Sequence, residues 1–228
     1  MFAEEFARKL GIKFRNLKLL EEALTHRSFL NEHRNEVLSH NERLEFLGDA
    51  VLELVVTDFL FKNYDNPEGE LTPWRAALVN GEMLADISKK IGVESYLRMS
   101  KGEAKDTGKA RRYILANAME AIIGAIYLDQ GYKVAENFIS KNIISNIDRI
   151  LQEKLYIDPK SHFQEEAQKH AQITPSYKVL SEEGPDHDKK FVMGVFLGEE
   201  LVGEGEGLSK QEAQREAARN ALKNKGWI

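Results

Sequence analysis

Residues 113 to 128, "YILANAMEAIIGAIYL", are apolar around the whole helical circumference except at Asn117 and Glu120. Those two stand three residues apart, so on a helix they are neighbours on one face. The run is too short and too polar to span a bilayer and predicts a buried helix at the centre of a domain. A carboxylate in such a helix needs a partner, because an isolated buried charge is costly or takes up a proton. Glu120 therefore has two readings. It makes one hydrogen bond to a neighbouring helix, or it shares a divalent cation with other acids.

Other acids stand in "NERLEFLGDAVLEL", residues 41 to 54. At roughly 100° per residue Glu42, Glu45, Asp49 and Glu53 fall in one stripe, with Leu44, Leu47, Val51 and Leu54 on the opposite side. A solvated face is the ordinary reading of a charge run. Such faces usually intersperse cations, however, and like charges four apart destabilise a helix by roughly 0.2–0.5 kcal/mol each. Here only Arg43 is near, and Phe46 and Leu52 flank the stripe. Gly48 costs about 1 kcal/mol relative to alanine inside a helix, which predicts that another backbone packs closely against it. Pattern alone leaves the solvated face and the metal site both open.

Composition narrows the metal. The chain of 228 residues has no cysteine, so disulfides, thiol nucleophiles and zinc-thiolate sites are excluded and a hard cation held by oxygen or imidazole is favoured. A net charge of -5 gives no global attraction to nucleic acid, so a polyanion needs a local basic patch or a metal to shield it. No stretch predicts a membrane span, and the start "MFAEEFARKL" lacks the apolar core of an export signal. A soluble, cytoplasmic protein with no membrane partner is expected.

From Phe2 to about Lys154 the pattern is helical, as in "LKLLEEALTHRSFL" and in "PWRAALVNGEMLADISKKIG" ending at Gly92, with no convincing strand. The segment "EKLYIDPKS" resets the chain, because Asp158 can cap a new helix whose first position is Pro159. The boundary is placed near Tyr156, giving domains 1–155 and 156–228. Beyond it follow a helix "SHFQEEAQKHA", strands "SYKVLS", "FVMGVFL" and "LVGEGE", and a helix from Ser209 to about Lys225 that starts with a Ser209–Glu212 capping box. The fold class expected is multidomain, all-α followed by an α+β domain of order αβββα.

With these residues in view the chain resembles the ribonuclease III family. "NERLEFLGDAVLEL" is similar to its signature, with "ALTHRSF" before it and "EGELTPWRAALV" and "ILANAMEAIIGAIYLDQGY" after it. The resemblance implies an all-helical endonuclease domain that forms a homodimer and uses Mg²⁺, for which Mn²⁺ substitutes. It implies hydrolysis of double-stranded RNA to 5′-phosphate ends, in the processing of rRNA and other structured precursors. It places Glu45, Asp49, Asn117 and Glu120 in the metal set, with Asp49 and Glu120 catalytic. Glu42 and Glu68 become accessory acids near the cleft, and Phe46 becomes the aromatic residue inserted into the partner subunit. His26 and His40 are read as packing or capping residues, since a metal can generate the nucleophile at neutral pH.

The second domain resembles a double-stranded-RNA-binding domain through "KSHFQEEAQ", "GPDHDKKF" and "GLSKQEAQREAA". The resemblance assigns Ser161, Gln164, Glu165 and Gln168 to one minor groove, His187 to the next, and Lys189, Lys190 and Lys210 to phosphates. Two departures stand out. The usual tandem lysine is Lys210-Gln211 here, in a domain with more acidic than basic residues, which predicts weaker binding. In the nuclease domain "ILAN" replaces the family's "ILAD", so Asn117 offers a carbonyl oxygen without a charge. An RNA-binding protein with impaired catalysis is the alternative, and a purely structural subunit a weaker third reading, because Glu45, Asp49 and Glu120 persist.

Overall fold

The computed structural model describes residues 2–33, 39–105, 108–184 and 189–227. It divides into two compact units, Met1–Tyr156 and Ile157–Ile228.

The first unit is helical: α1 (Phe2–Leu10), α2 (Leu17–Ala23), α3 (Arg27–Glu32), α4 (Glu42–Asn63), α5 (Glu68–Val79), α6 (Gly81–Ile91), α7 (Lys101–Lys105), α8 (Lys109–Gln130), α9 (Tyr132–Asn142) and α10 (Ile147–Gln152). Among the described residues its only β pairing is an isolated bridge between Thr25 and Arg98. Helix α8 is the buried centre, with Leu115, Met119, Ile122, Ile123 and Ile126 fully covered. Asn117 and Glu120 are half-buried.

Helix α4 crosses α8 backbone to backbone. A Cβ at Gly48 would stand 1.7 Å from the Glu120 carbonyl oxygen, and one at Gly124 would stand 2.3 Å from that of Leu44. This is the close approach that Gly48 predicted. It also holds the acidic stripe of α4 against the polar notch of α8.

Two local expectations are corrected. The "PWRAALVNGEMLADISKKIG" run breaks at Asn80, whose extended backbone stops α5 and whose side chain accepts from the Met83 N–H at 2.9 Å to start α6. Asparagine there offers the backbone a local alternative to the helix ladder. Leu54, expected on the apolar side of α4, is 57% exposed. Gly92 does end α6, in the left-handed conformation. A residue that periodicity did not single out, Asp129 at the end of α8, accepts the backbone N–H groups of Arg15 at 2.8 Å and Asn16 at 2.7 Å. It ties the start of α2 to the central helix.

The second unit runs α11 (Pro159–Ala171), β1 (Ser176–Glu183), β2 (Lys190–Leu197), β3 (Glu200–Gly207) and α12 (Lys210–Asn224), with one antiparallel sheet in the order β1-β2-β3. Gly203, Gly205 and Gly207 lie on one face of β3. A Cβ at Gly205 would stand 2.1 Å from the Ala217 nitrogen, so the "VGEGEG" spacing lets α12 lie directly on the strand. Ala213, Ala217, Ala218 and Ala221 supply the matching small surface, and Phe163, Val195 and Leu222 fill the core.

Both helix starts are capped by the expected residues. Asp158 accepts the N–H groups of Lys160 and Ser161, each at 3.1 Å, and Ser209 accepts that of Glu212 at 3.2 Å. The reciprocal half of the capping box is shifted by one residue: Glu212 accepts the N–H of Leu208 at 3.1 Å.

Candidate functional site

The four carboxylates of α4 fall into two kinds. Glu42 meets Arg27 at 3.4 Å and His40 at 3.7 Å, and Glu53 meets Arg75 of α5 at 3.2 Å. These two have cations that the local sequence could not reveal, because Arg27 and Arg75 come from other helices. For Glu45 and Asp49 no Lys, Arg or His nitrogen lies within ion-pair distance among the described residues.

The α4–α8 crossing brings these two to the notch of α8. Glu45 lies above its ordinary pKa because it is partly buried and near Glu42 and Asp49, while the Asn117 side chain beside it pulls the other way. Glu120 is displaced further. Burial, then the charges of Asp49, Glu45 and Glu53, push its carboxyl up to about 7. Three carboxylates and an amide therefore act on one another at this crossing with negative charge uncompensated.

A hard divalent cation fits that donor chemistry, since it is an all-oxygen set lacking positive charge. Among the described residues no three His, Asp or Glu side chains are gathered into a ready-made cage. Glu68 starts α5, is exposed, and is absent from the charges that act on Glu120.

The histidines have structural employment. The His26 side chain caps α3 by accepting the Ser28 N–H at 3.3 Å, and burial holds its pKa below the ordinary value. His40 sits beside Glu42.

Along α4, Phe46, Ala50, Leu54, Thr57 and Phe61 recur at three- and four-residue spacing and are all exposed. Phe46 is 82% and Phe61 77% exposed. A hollow beside Phe46 is lined by Leu19, Leu44, Leu47 and Leu128 together with Glu22, His40, Glu42 and Arg43. A protruding aromatic residue and a recess of mixed apolar and charged lining thus share one face.

In the second unit Ser161, Gln164, Glu165 and Gln168 are exposed on α11, and Lys190 and Lys210 are exposed at the starts of β2 and α12. His187 lies outside the described residues. Lys189 and Lys210 are less free than the sequence implied: Glu182 of β1 meets Lys210 at 2.9 Å and Lys189 at 3.4 Å. Nothing local in the sequence relates Glu182 to a lysine at position 210.

Comparison with known proteins agrees with this division. Residues 16–147 match the family described as Ribonuclease-III-like, and residues 159–225 match the Double-stranded RNA binding motif. Ribonuclease 3 of Bdellovibrio bacteriovorus is 44% identical over 95% of this chain and 93% of its own length, and Ribonuclease 3 of Clostridium perfringens is 43% identical over 98% and 94%. The nuclease domain of ribonuclease III from Campylobacter jejuni, solved in a study of a region involved in its dimer formation, is 41% identical with a TM-score of 0.56. It covers 63% of this chain and 96% of that one.

Proposed function

Since the chain belongs to the ribonuclease III family, we propose that it is a Mg²⁺-dependent endoribonuclease. It acts as a homodimer, cleaves double-stranded RNA to 5′-phosphate ends and processes rRNA and other structured precursors. The observation that carries this reading is the uncompensated set at the α4–α8 crossing, with Glu120 pushed up to about 7 while Glu45 and Asp49 lack a protein cation.

Glu45, Asp49, Asn117 and Glu120 would hold the metal. When bound, Mg²⁺ supplies the positive charge that polarises the phosphodiester and lowers the pKa of a bound water. The chain's own residues supply the rest. Asp49 and Glu120 would orient the attacking water by accepting hydrogen bonds from it, and the half-burial of Glu120 strengthens the electrostatics around it. Asn117 lies beside Glu45 and favours its charged form. Neither His26 nor His40 is required, which accords with the capping bond of His26.

The exposed α4 stripe and the hollow beside Phe46 support the homodimer. A projection and a recess on one face can satisfy each other across a two-fold axis. Gln164 and Gln168 on α11, with His187 and the lysines, would grip duplex RNA across successive minor grooves. No helix among the described residues is long and apolar enough to cross a membrane, which accords with action in the cytoplasm.

The test offers purified protein a long RNA duplex, the separate strands and the equivalent DNA duplex, with Mg²⁺ or with chelator. Short duplex RNA products with 5′-phosphates, formed only from duplex RNA and only with Mg²⁺, are expected. Cleavage in chelator, or equal cleavage of single strands, contradicts the proposal.

A further inference from the structure

Resting on the reading of Lys189 and Lys210 as phosphate contacts, we propose that Glu182 is a built-in competitor of RNA phosphate, holding both lysines in the free protein and releasing them when duplex RNA binds. The carboxylate gives one oxygen to each ammonium, Oε1 to Lys210 at 2.9 Å and Oε2 to Lys189 at 3.4 Å. A phosphodiester presents the same motif, two oxygens sharing one negative charge, so the lysine pair can exchange one anion for the other.

Three separate segments converge here. Glu182 is near the end of β1, Lys189 immediately precedes β2, and Lys210 opens α12. The lysines hold the Glu182 carboxyl below its ordinary range, chiefly through the Lys210 hydrogen bond, so it is charged at neutral pH. The ion pairs are solvent-exposed, and pairs of that kind open at little cost. Lys210 also lies over the Phe191 ring at 5.5 Å, a contact that keeps its ammonium in place when the carboxylate withdraws.

A bridging acid that merely positions the two lysines makes the opposite prediction: its removal weakens binding. Direction therefore separates the two roles. Glu182 is an exposed edge-strand residue, so Glu182→Gln leaves the core untouched, and unchanged circular dichroism confirms the fold.

The experiment measures binding of the full chain to an RNA duplex longer than the roughly 16 base pairs such a module spans. Chelator prevents cleavage, and salt is varied. Glu182→Gln is expected to bind about three- to tenfold more tightly at low salt, with the salt dependence steeper by about one released counterion. Lys210→Ala is expected to weaken binding, and in its background the gain from Glu182→Gln should shrink. Unchanged or weaker binding by Glu182→Gln, with Lys210→Ala still weakening it, overturns the competitor role and leaves the phosphate contacts standing. If neither Lys189→Ala nor Lys210→Ala alters affinity, the phosphate reading fails and the competitor role fails with it.

Discussion

Glu120 and Asn117 are the two polar interruptions of an otherwise buried helix, and each bears on how the site manages charge. The Glu120 carboxyl sits near 7 in the fold against an ordinary value of 4.5, so its neutral form is the one the folded state favours. Its contribution to stability is full below about pH 4.5 and is lost as pH rises through about 7. Metal-free protein should therefore lose on the order of 1–2 kcal/mol over that interval, the figure being discounted for partial exposure. Glu120→Gln should lack that loss in thermal melts at pH 5 and pH 8 in chelator. An equal loss in both proteins would mean that Glu120 is not the strained group. Mg²⁺ should restore the wild-type protein at pH 8 and act little on the variant. Asn117 relieves part of the same repulsion, because its amide beside Glu45 favours that carboxylate where an aspartate would add a fourth negative charge. It should weaken the hold on metal more than it harms the chemistry, since an amide oxygen remains an acceptable ligand.

Helix α4 shows what periodicity can and cannot convey. The sequence located its acidic stripe and, through Gly48, the presence of a backbone neighbour, because a helix-interior glycine is costly without one. Which helix that neighbour was, and that Glu42 and Glu53 are neutralised by Arg27 and Arg75, depends on residues distant in the chain. Leu54 was assigned to the core because period alone cannot tell a buried apolar side from an exposed one. In the second unit the caps at Asp158 and Ser209 were legible because capping is local. The Glu182 pairing was not, since strand register and helix docking create it. At the crossing, Gly48→Ala drives a Cβ into the Glu120 carbonyl, and neither backbone can yield. Destabilisation of about 3 kcal/mol is expected, read as a fall in Tm of roughly 6–12 °C for a domain of this size. A variant that melts with the wild type would deny the close packing.

For the whole molecule, the proposed reaction divides between two units: a helical nuclease domain carrying the acidic residues of the α4–α8 crossing, and an αβββα module of the double-stranded-RNA-binding type. The proposed homodimer draws on the surface of the first. Phe46 is 82% exposed beside a hollow of mixed apolar and charged lining, and truncating an aromatic residue that becomes buried in a partner costs about 3–5 kcal/mol. Phe46→Ala should populate monomers in dilute solution by sedimentation velocity, whereas the unmodified chain should sediment as a dimer; a monomeric unmodified chain would contradict the assembly. Glu45, Asp49, Asn117 and Glu120 are proposed together to hold the divalent cation used in RNA hydrolysis. That assignment is tested by a Mg²⁺ titration of duplex RNA cleavage by the unmodified chain, Asn117→Asp and Glu120→Gln, with RNA binding measured in parallel. The unmodified chain should cleave, Asn117→Asp should reach half-maximal rate at lower Mg²⁺ with little gain at saturation, and Glu120→Gln should bind RNA but not cut. Undiminished cleavage by Glu120→Gln, or no cleavage by the unmodified chain even at high Mg²⁺ or Mn²⁺, would contradict the assignment.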